Sequence, residues 1–354
     1  ELSNVFIKQL SPVICKPLCI IFNRSINEGV FPQEMKLADV IPIYKSKDRL
    51  SCTNYRPVSL LPVVSKILER IIHKRLYGFL NQHNLLYNSQ YGFRNEHSTI
   101  NAVTEFVGKV VKGFENDEQT IGVFLDLSKA FDTIDHSVLL QKLERYGVRG
   151  HPYKWFKSYL SGRWQQVKCA DVKSSPLPLQ CGVPQGSVLG PLLFIIYTND
   201  IHYSLTDCEC ILFADDTTVF KTGDNLEYIS QCIMNDMSML VDWFRANKLS
   251  LNLSKTNYII FKPKGKSSDL QINLKVGHDS IALVSQTKFL GLSIDENLNW
   301  MSHVKTVINK NSSGLFMINS VRNMIPKEQK RMLYMSFMNS NIIYGLMLWG
   351  PMVQ

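Results

Sequence analysis

The sequence predicts an α+β fold, a sheet with helices packed on one face and helical segments on either side. Three observations carry that expectation. Strand-like and helix-like stretches alternate through residues 120–262. Residues 63–80, VVSKILERIIHKRLYGFL, place Val64, Ile67, Leu68, Ile71, Ile72, Leu76, Phe79 and Leu80 at the recurrence of an amphipathic helix. From Trp300 onward the pattern is helical again, which predicts a separate small helical subdomain.

Each element has a local reason. Pro62 stands near the start of the 63–80 helix, where a missing N–H is harmless, and Lys66, Arg70 and Lys74 then share its outer face. That face either solvates the helix or follows a polyanion. TIGVFLDL, 120–127, reads as a buried strand ending in an aspartate, and SVLLQKLERYG as a helix stopped by Gly147. PQGSVLGPLLFIIYTNDI begins as a Pro/Gly loop and becomes a long apolar helix. LEYISQCIMNDMSMLVDWFRANKL has helical period, SLNLSKTNYIIF reads as a strand, Pro263–Asp269 as a polar loop and TKFLGLSID as a further strand.

With 354 residues, 45% of them hydrophobic, the chain has enough apolar content for a large multi-lobed domain or two or three subdomains. It begins at Glu1 rather than methionine, which is expected of a segment of a longer polypeptide. The apolar run around VLGPLLFIIY is too short to span a bilayer and no leader is recognisable, so an intracellular, soluble protein without a membrane partner is expected. No internal repeat points to a solenoid. The eight cysteines lack paired CxxC spacing; buried reduced thiols are expected, with a structural zinc as the alternative. The net charge of +9 is uneven. Residues 36–75 hold nine basic side chains against three acidic ones, and 301–331 hold six against Glu328. Two basic zones flanking clustered aspartates suit a polyanion held above an acidic centre.

The aspartates lie in ILFADDTTVF, residues 211–220. In a continuous strand Asp215 and Asp216 would point to opposite faces, so a hairpin with both at its tight turn is the better reading. Two carboxylates held there repel unless a cation lies between them. Asp126 ends another strand, and aspartates at adjacent strand ends make an oxygen-rich pocket suited to Mg²⁺. That set points to two-metal phosphoryl transfer. The competing explanation, a plain turn dipeptide, would hold for an isolated pair.

FADD, together with VFLDLSKAFDTIDH about ninety residues earlier and GVPQGSVLGPLLF between them, resembles the catalytic motifs of reverse transcriptases. LADVIPIYKSKD, NYRPVSLLPVVSKILERIIHKRL and QYGFRNEHST are similar to finger motifs of LINE-type, non-long-terminal-repeat retrotransposon polymerases. TKFLGLSID and LNWMSHV resemble that group's primer grip and the start of its thumb, so the resemblance runs from about Asn27 to the C-terminus.

The resemblance implies a right-hand polymerase fold with an antiparallel-sheet palm packed by helices, mostly helical fingers and a partial helical thumb. The corresponding segments are an N-terminal helical extension (1–26), fingers (about 27–120), palm (about 121–294) and thumb (295–354). It implies RNA-directed DNA polymerase activity on an RNA template and DNA primer with deoxynucleoside triphosphates, two Mg²⁺ ions (Mn²⁺ as substitute) and a nuclear location.

Residue by residue, the resemblance makes Asp126 and Asp215 the principal metal ligands, Asp216 the third acid and the Leu127 carbonyl an extra ligand. Phe131 matches the steric gate against a 2′-hydroxyl, although a core aromatic is its plain alternative. Gln185 and Gly186 match the residues beside the incoming nucleotide, and Lys45 and Arg56 those that grip its triphosphate. Lys255 matches a general acid toward pyrophosphate, with a solvated strand-end lysine as its alternative. Asp132 belongs to the same KAFD signature without an assigned role. Proteins of this type also carry an endonuclease and a Cys/His-rich segment. Neither motif is recognisable here, so synthesis primed at a nicked target is expected of a longer parent protein. Two other functions stay open at this point. A polymerase-derived RNA-binding scaffold would have been favoured by loss of an acid at 126, 215 or 216, and RNA-dependent RNA synthesis is opposed by Phe131 as gate.

Overall fold

Seven consecutive buried residues, Gln119–Leu125, form the strand that delivers Asp126 at its end. They belong to a computed structural model that describes residues 4–265, 272–277 and 279–351. The chain starts with α1 (Asn4–Glu28), β1 (Leu37–Tyr44), β2 (Tyr55–Leu60), α2 (Val63–Gln82), α3 (Thr99–Glu115) and β3 (Gln119–Leu125). Next come α4 (His136–Arg145), α5 (Gly150–Leu160), β4 (Arg163–Cys169), β5 (Val172–Lys173), β6 (Leu177–Leu179) and α6 (Gly190–Thr198). β7 (Glu209–Phe213), β8 (Asp216–Gly223), α7 (Leu226–Ala246) and β9 (Asn257–Phe261) follow. The remainder holds β10 (Lys275–Val276), β11 (Asp279–Ser280), β12 (Ala282–Leu283), β13 (Gln286–Phe289), β14 (Leu292–Asp295), α8 (Met301–Ser320) and α9 (Lys327–Tyr334). The backbone divides into two compact units, each assembled from separate stretches.

The first unit comprises Glu1–Phe93, Leu127–His202 and Trp243–Ser250. Its sheet has the order β2-β1-β4-β5, with β6 also on β4. β1 runs antiparallel to β2 and parallel to β4. The C-terminal part of α1 packs on α5, where Trp155 donates its indole N–H to Ser25 Oγ at 3.0 Å and Phe31 meets Trp155 and Tyr159 edge-on. The rest of α1 exposes Val5, Val13 and Ile20. Among the described residues α1 has a stretch, Val5–Glu28, long and apolar enough to cross a membrane, which corrects the reading based on VLGPLLFIIY alone. Lys8 and Lys16 break the run, so the sequence there does not look continuous. VLGPLLFIIY instead ends in α6, nearly all of it buried.

The second unit comprises Arg94–Asp126, Tyr203–Asp242 and Leu251–Gln354. Its sheet has the order β12-β9-β3-β8-β7, antiparallel from β9 to β7 and parallel between β12 and β9. The fold is therefore a mixed α and β structure with mixed sheets, broader than the antiparallel sheet expected. α3 lies against this sheet with Phe106 at the centre, its ring 5.3–5.7 Å from those of Phe124, Phe220, Phe261 and Phe289. Gly122 makes this approach feasible, since a Cβ there would stand 3.1 Å from both Phe106 and Phe261. TKFLGLSID is a hairpin rather than one strand. Leu290 and Gly291 both take positive φ (44° and 93°), the backbone of a two-residue turn between β13 and β14.

Other expectations also shift. All eight cysteines are unpaired, but Cys15, Cys19, Cys52, Cys169 and Cys181 are exposed rather than buried, since they sit on α1, in connecting segments or at the end of β4. In the first basic zone Lys36 is buried and donates to the Ser161 carbonyl at 3.0 Å, so it is no part of a charged surface. Of the polar loop expected at Pro263–Asp269, residues 266–269 lie outside the described residues, as do 1–3 of the helical extension and 352–354 at the other end. The packing around Phe106 yields a test: Phe106→Ala is expected to destabilise the chain by about 3–5 kcal/mol in denaturant unfolding, whereas Phe106→Leu loses less because most of the volume stays filled.

Candidate active site

β7 turns into β8 through Ala214 and Asp215, with Ala214 left-handed (φ 56°) and Phe213 paired with Asp216. Asp215 is thus at the tip and Asp216 opens β8, one residue away from the expected placement of both in the turn. β3 lies antiparallel to β8 with Leu125 opposite Thr217, and this register brings Asp126 off the end of β3 beside Asp216. Asn252 donates its N–H to the Asp126 carbonyl at 2.8 Å and so joins the segment before β9 to the same strand end. Lys255 lies in that segment's turn rather than on a strand, and its Nζ stands 3.1 Å from Asp126 Oδ2.

The sequence-predicted residues Asp126, Asp215, Asp216 and Lys255 are therefore brought together. Desolvation, followed by the charges of Asp215 and Asp126, pushes the Asp216 carboxyl up to about 6, with Lys255 opposing. Lys255 pairs with Asp126 and offsets part of the charge that Asp126 and Asp215 place on Asp216. The donor set is all oxygen, which fits a hard divalent cation in kind. Among the described residues no three His, Cys, Asp or Glu side chains already converge on one ion position.

The first unit holds the other predicted group. The segment after β3 and the loop before α6 are stitched together along their backbones. Gly182 and Val183 donate to the carbonyls of Ile134 and Phe131 at 2.7 and 3.0 Å, and His136 Nε2 contacts the Gly182 carbonyl at 2.7 Å. Gln185 donates its amide to Asp132 Oδ1 at 2.8 Å, and its own carbonyl accepts from Ser59 on β2 at 2.7 Å. Burial raises the Asp132 carboxyl, against the bond from Gln185 and the charges of Lys129 and Lys45. This supplies the role that sequence reading left blank: Asp132 orients the Gln185 amide. The pairing of AFD with PQG was the available signal. A cleft of about 490 Å³ opens beside them, lined by Ser59, Asp132, Arg163, Gln165, Pro184 and Gln185 among others.

Lys45 follows β1 and is close enough for Asp132 to feel its charge. Arg56 is exposed on β2, where strand alternation puts it on the opposite face from Pro57 and Ser59, which line the cleft. The structure does not bring it to Gln185. Phe131 is half-buried, stacked on Phe194 with ring centres 4.5 Å apart and edge-on to Phe93 at 6.1 Å. Its ring is thus supported from within, as either a core aromatic or a gate would be. Leu127 is buried directly after Asp126.

Residues 43–294 match the family model described as "Reverse transcriptase (RNA-dependent DNA polymerase)". The chain belongs to the reverse transcriptase family. It is 30% identical to "RNA-directed DNA polymerase from mobile element jockey" of Drosophila melanogaster, over 99% of this chain and 39% of that protein. It is 29% identical to "Probable RNA-directed DNA polymerase from transposon BS" of the same species, over 98% of this chain and 39% of that protein. A third relative, "Putative 115 kDa protein in type-1 retrotransposable element R1DM", is 23% identical over 98% of this chain and 34% of its own length. The chain thus spans about two fifths of the length of the first two of these curated relatives. This reverse transcriptase domain is related to the retrotransposon polymerases that its motifs resemble. The family implies use of a divalent metal, a nucleic-acid template and primer, and deoxynucleotide substrates.

Gly186 gives the site a structural test. Its φ is +129°, and a Cβ on it would fall 2.4 Å from the Ser59 carbonyl. Gly186→Ala is expected to lower stability by about 1–3 kcal/mol in chemical denaturation. Gly265→Ala, also at positive φ but with open space around its Cβ, should lower it less.

Proposed function

We propose that this chain is the catalytic segment of a retrotransposon reverse transcriptase, copying an RNA template into DNA by two-metal nucleotidyl transfer. The placement of Asp126, Asp215 and Asp216 at adjoining strand ends carries this reading. Asp126 and Asp215 hold the metal ions, with Asp216 as third acid and the Leu127 carbonyl as a further oxygen. Two Mg²⁺ ions, replaceable by Mn²⁺, would supply activation of the primer 3′-hydroxyl and neutralisation of charge on the triphosphate. Lys255, which pairs with Asp126, would turn toward pyrophosphate as a proton donor.

Gln185 and Gly186 receive the incoming deoxynucleotide, and Asp132 holds the Gln185 amide in orientation. Phe131 sets its ring against the sugar and excludes a 2′-hydroxyl. Lys45 grips the triphosphate from the end of β1, whereas Arg56, on the far face of β2, would have to reach around the strand to join it. In this reading the chain has a helical extension at 1–26, fingers at about 27–120, a palm at about 121–294 and a partial thumb from 295 to 354. The parent protein works in the nucleus on its element's RNA.

Primer extension on an RNA template tests the proposal. With Mg²⁺ and deoxynucleotides the chain should extend the primer, and Asp215→Asn should reduce the rate by about 10²–10³-fold, the scale of losing a group that stabilises transition-state charge. Equal extension by both proteins contradicts the assignment. RNA binding without extension by either points to a scaffold.

A further inference from the structure

Glu69, on α2, is fully buried and belongs to none of the residue sets above. A buried carboxylate is unfavourable unless hydrogen bonds compensate it. Here Oε1 accepts from Ser65 Oγ at 2.9 Å, and Oε2 accepts from the backbone N–H groups of Val188 and Leu189 at 2.8 and 3.3 Å. These two donors lead into the N-terminus of α6, where Leu189 offers no side-chain cap. The Glu69 charge therefore also meets the positive end of that helix.

The bonded residues come directly after Gln185, Gly186 and Ser187. Upstream, the loop is tied by Phe131, Ile134 and His136, and at its middle by Ser59 and Asp132. Downstream, Ser187 Oγ accepts from Gly190 N–H at 3.0 Å, a bond within the loop itself. Glu69 joins that downstream end to α2, and Tyr159 of α5 lies beside both Glu69 and Ser187. Charge-assisted bonds to backbone N–H groups are stronger and shorter than neutral ones, so the tether fixes position as well as adding stability.

We infer that Glu69 is a positioning residue for the nucleotide site, setting through Val188 and Leu189 where the loop presents Gln185 and Gly186. The inference rests on the polymerase reading. Its consequence is selective: loosening the tether displaces groups that meet the incoming nucleotide, while the acids at the β3 and β7–β8 strand ends keep their own supports.

Single-nucleotide incorporation by the parent chain, Glu69→Gln, Glu69→Asp and Glu69→Ala provides the test. The Asp variant withdraws the carboxylate by one methylene and the Ala variant removes it, so both should raise KM for the deoxynucleotide by about tenfold with KM for primer–template unchanged. The Gln variant keeps an oxygen in place and should stay within about threefold of the parent. Amide exchange at Val188 and Leu189 should be faster in the Asp variant than in the Gln variant. Parental nucleotide KM in a folded Asp or Ala variant, or even loss across kcat and both KM values, overturns the inference. If Ala does not fold, the Asp and Gln pair decides. If the parent itself extends no primer, the polymerase reading falls, and amide exchange alone decides for or against the tether.

Discussion

Electrostatic crowding at the ends of β3, β7 and β8 is the constraint to which the second unit is built. Like charges about 5 Å apart repel by roughly 3 kcal/mol at an effective dielectric near 20, so three carboxylates stay together only where the backbone leaves them no alternative. The hydrogen-bonded ladders of β3, β7, β8 and β9 supply that restraint. Behind them the Phe106 cluster fills the space between α3 and the sheet, so strand ends cannot drift apart without opening an aromatic core. Lys255 relieves part of the repulsion through Asp126, while burial first and then the neighbouring Asp215 and Asp126 charges raise the Asp216 carboxyl. In the proposed function an incoming cation would complete the compensation.

The first unit meets a different demand, holding an irregular loop still. A loop cannot rely on repeating hydrogen bonds, so its groups are satisfied one by one: Gly182 and Val183 by the segment after β3, Gln185 by Asp132 and Ser59, and Val188 and Leu189 by Glu69. Each partner comes from a segment of this chain other than the loop itself, so the loop is held only when those segments are folded around it. Apolar contact alone would leave the Gln185 amide free to rotate; the Asp132 carboxyl removes that freedom.

Much of this was legible from residue pattern. The buried run of β3, the amphipathic α2 and the hairpin around Asp215 follow from periods of two and 3.6 and from the expense of buried charge. The β13–β14 hairpin was not, because Leu290 is an unusual residue to take positive φ and TKFLGLSID reads as one apolar strand. Nor was the sheet that β4 and β6 form with β1, since pairing across more than a hundred residues leaves no local mark. At the site, the acids were readable from their cost, whereas Glu69 was not. In ILERII it looks like an ordinary solvated acid, and only the tertiary fold shows that its partners include the N–H groups of Val188 and Leu189, just ahead of α6.

The central claim is that Asp126 and Asp215 form one metal site imposed by the sheet. The most direct measurement is a crystal of the chain with primer–template and a deoxynucleotide, soaked in Mn²⁺ and read by anomalous scattering. The account predicts strong peaks within bonding distance of Asp126 and Asp215 carboxylate oxygens, abolished in Asp126→Asn. Peaks located elsewhere, or unchanged by that substitution, would contradict it.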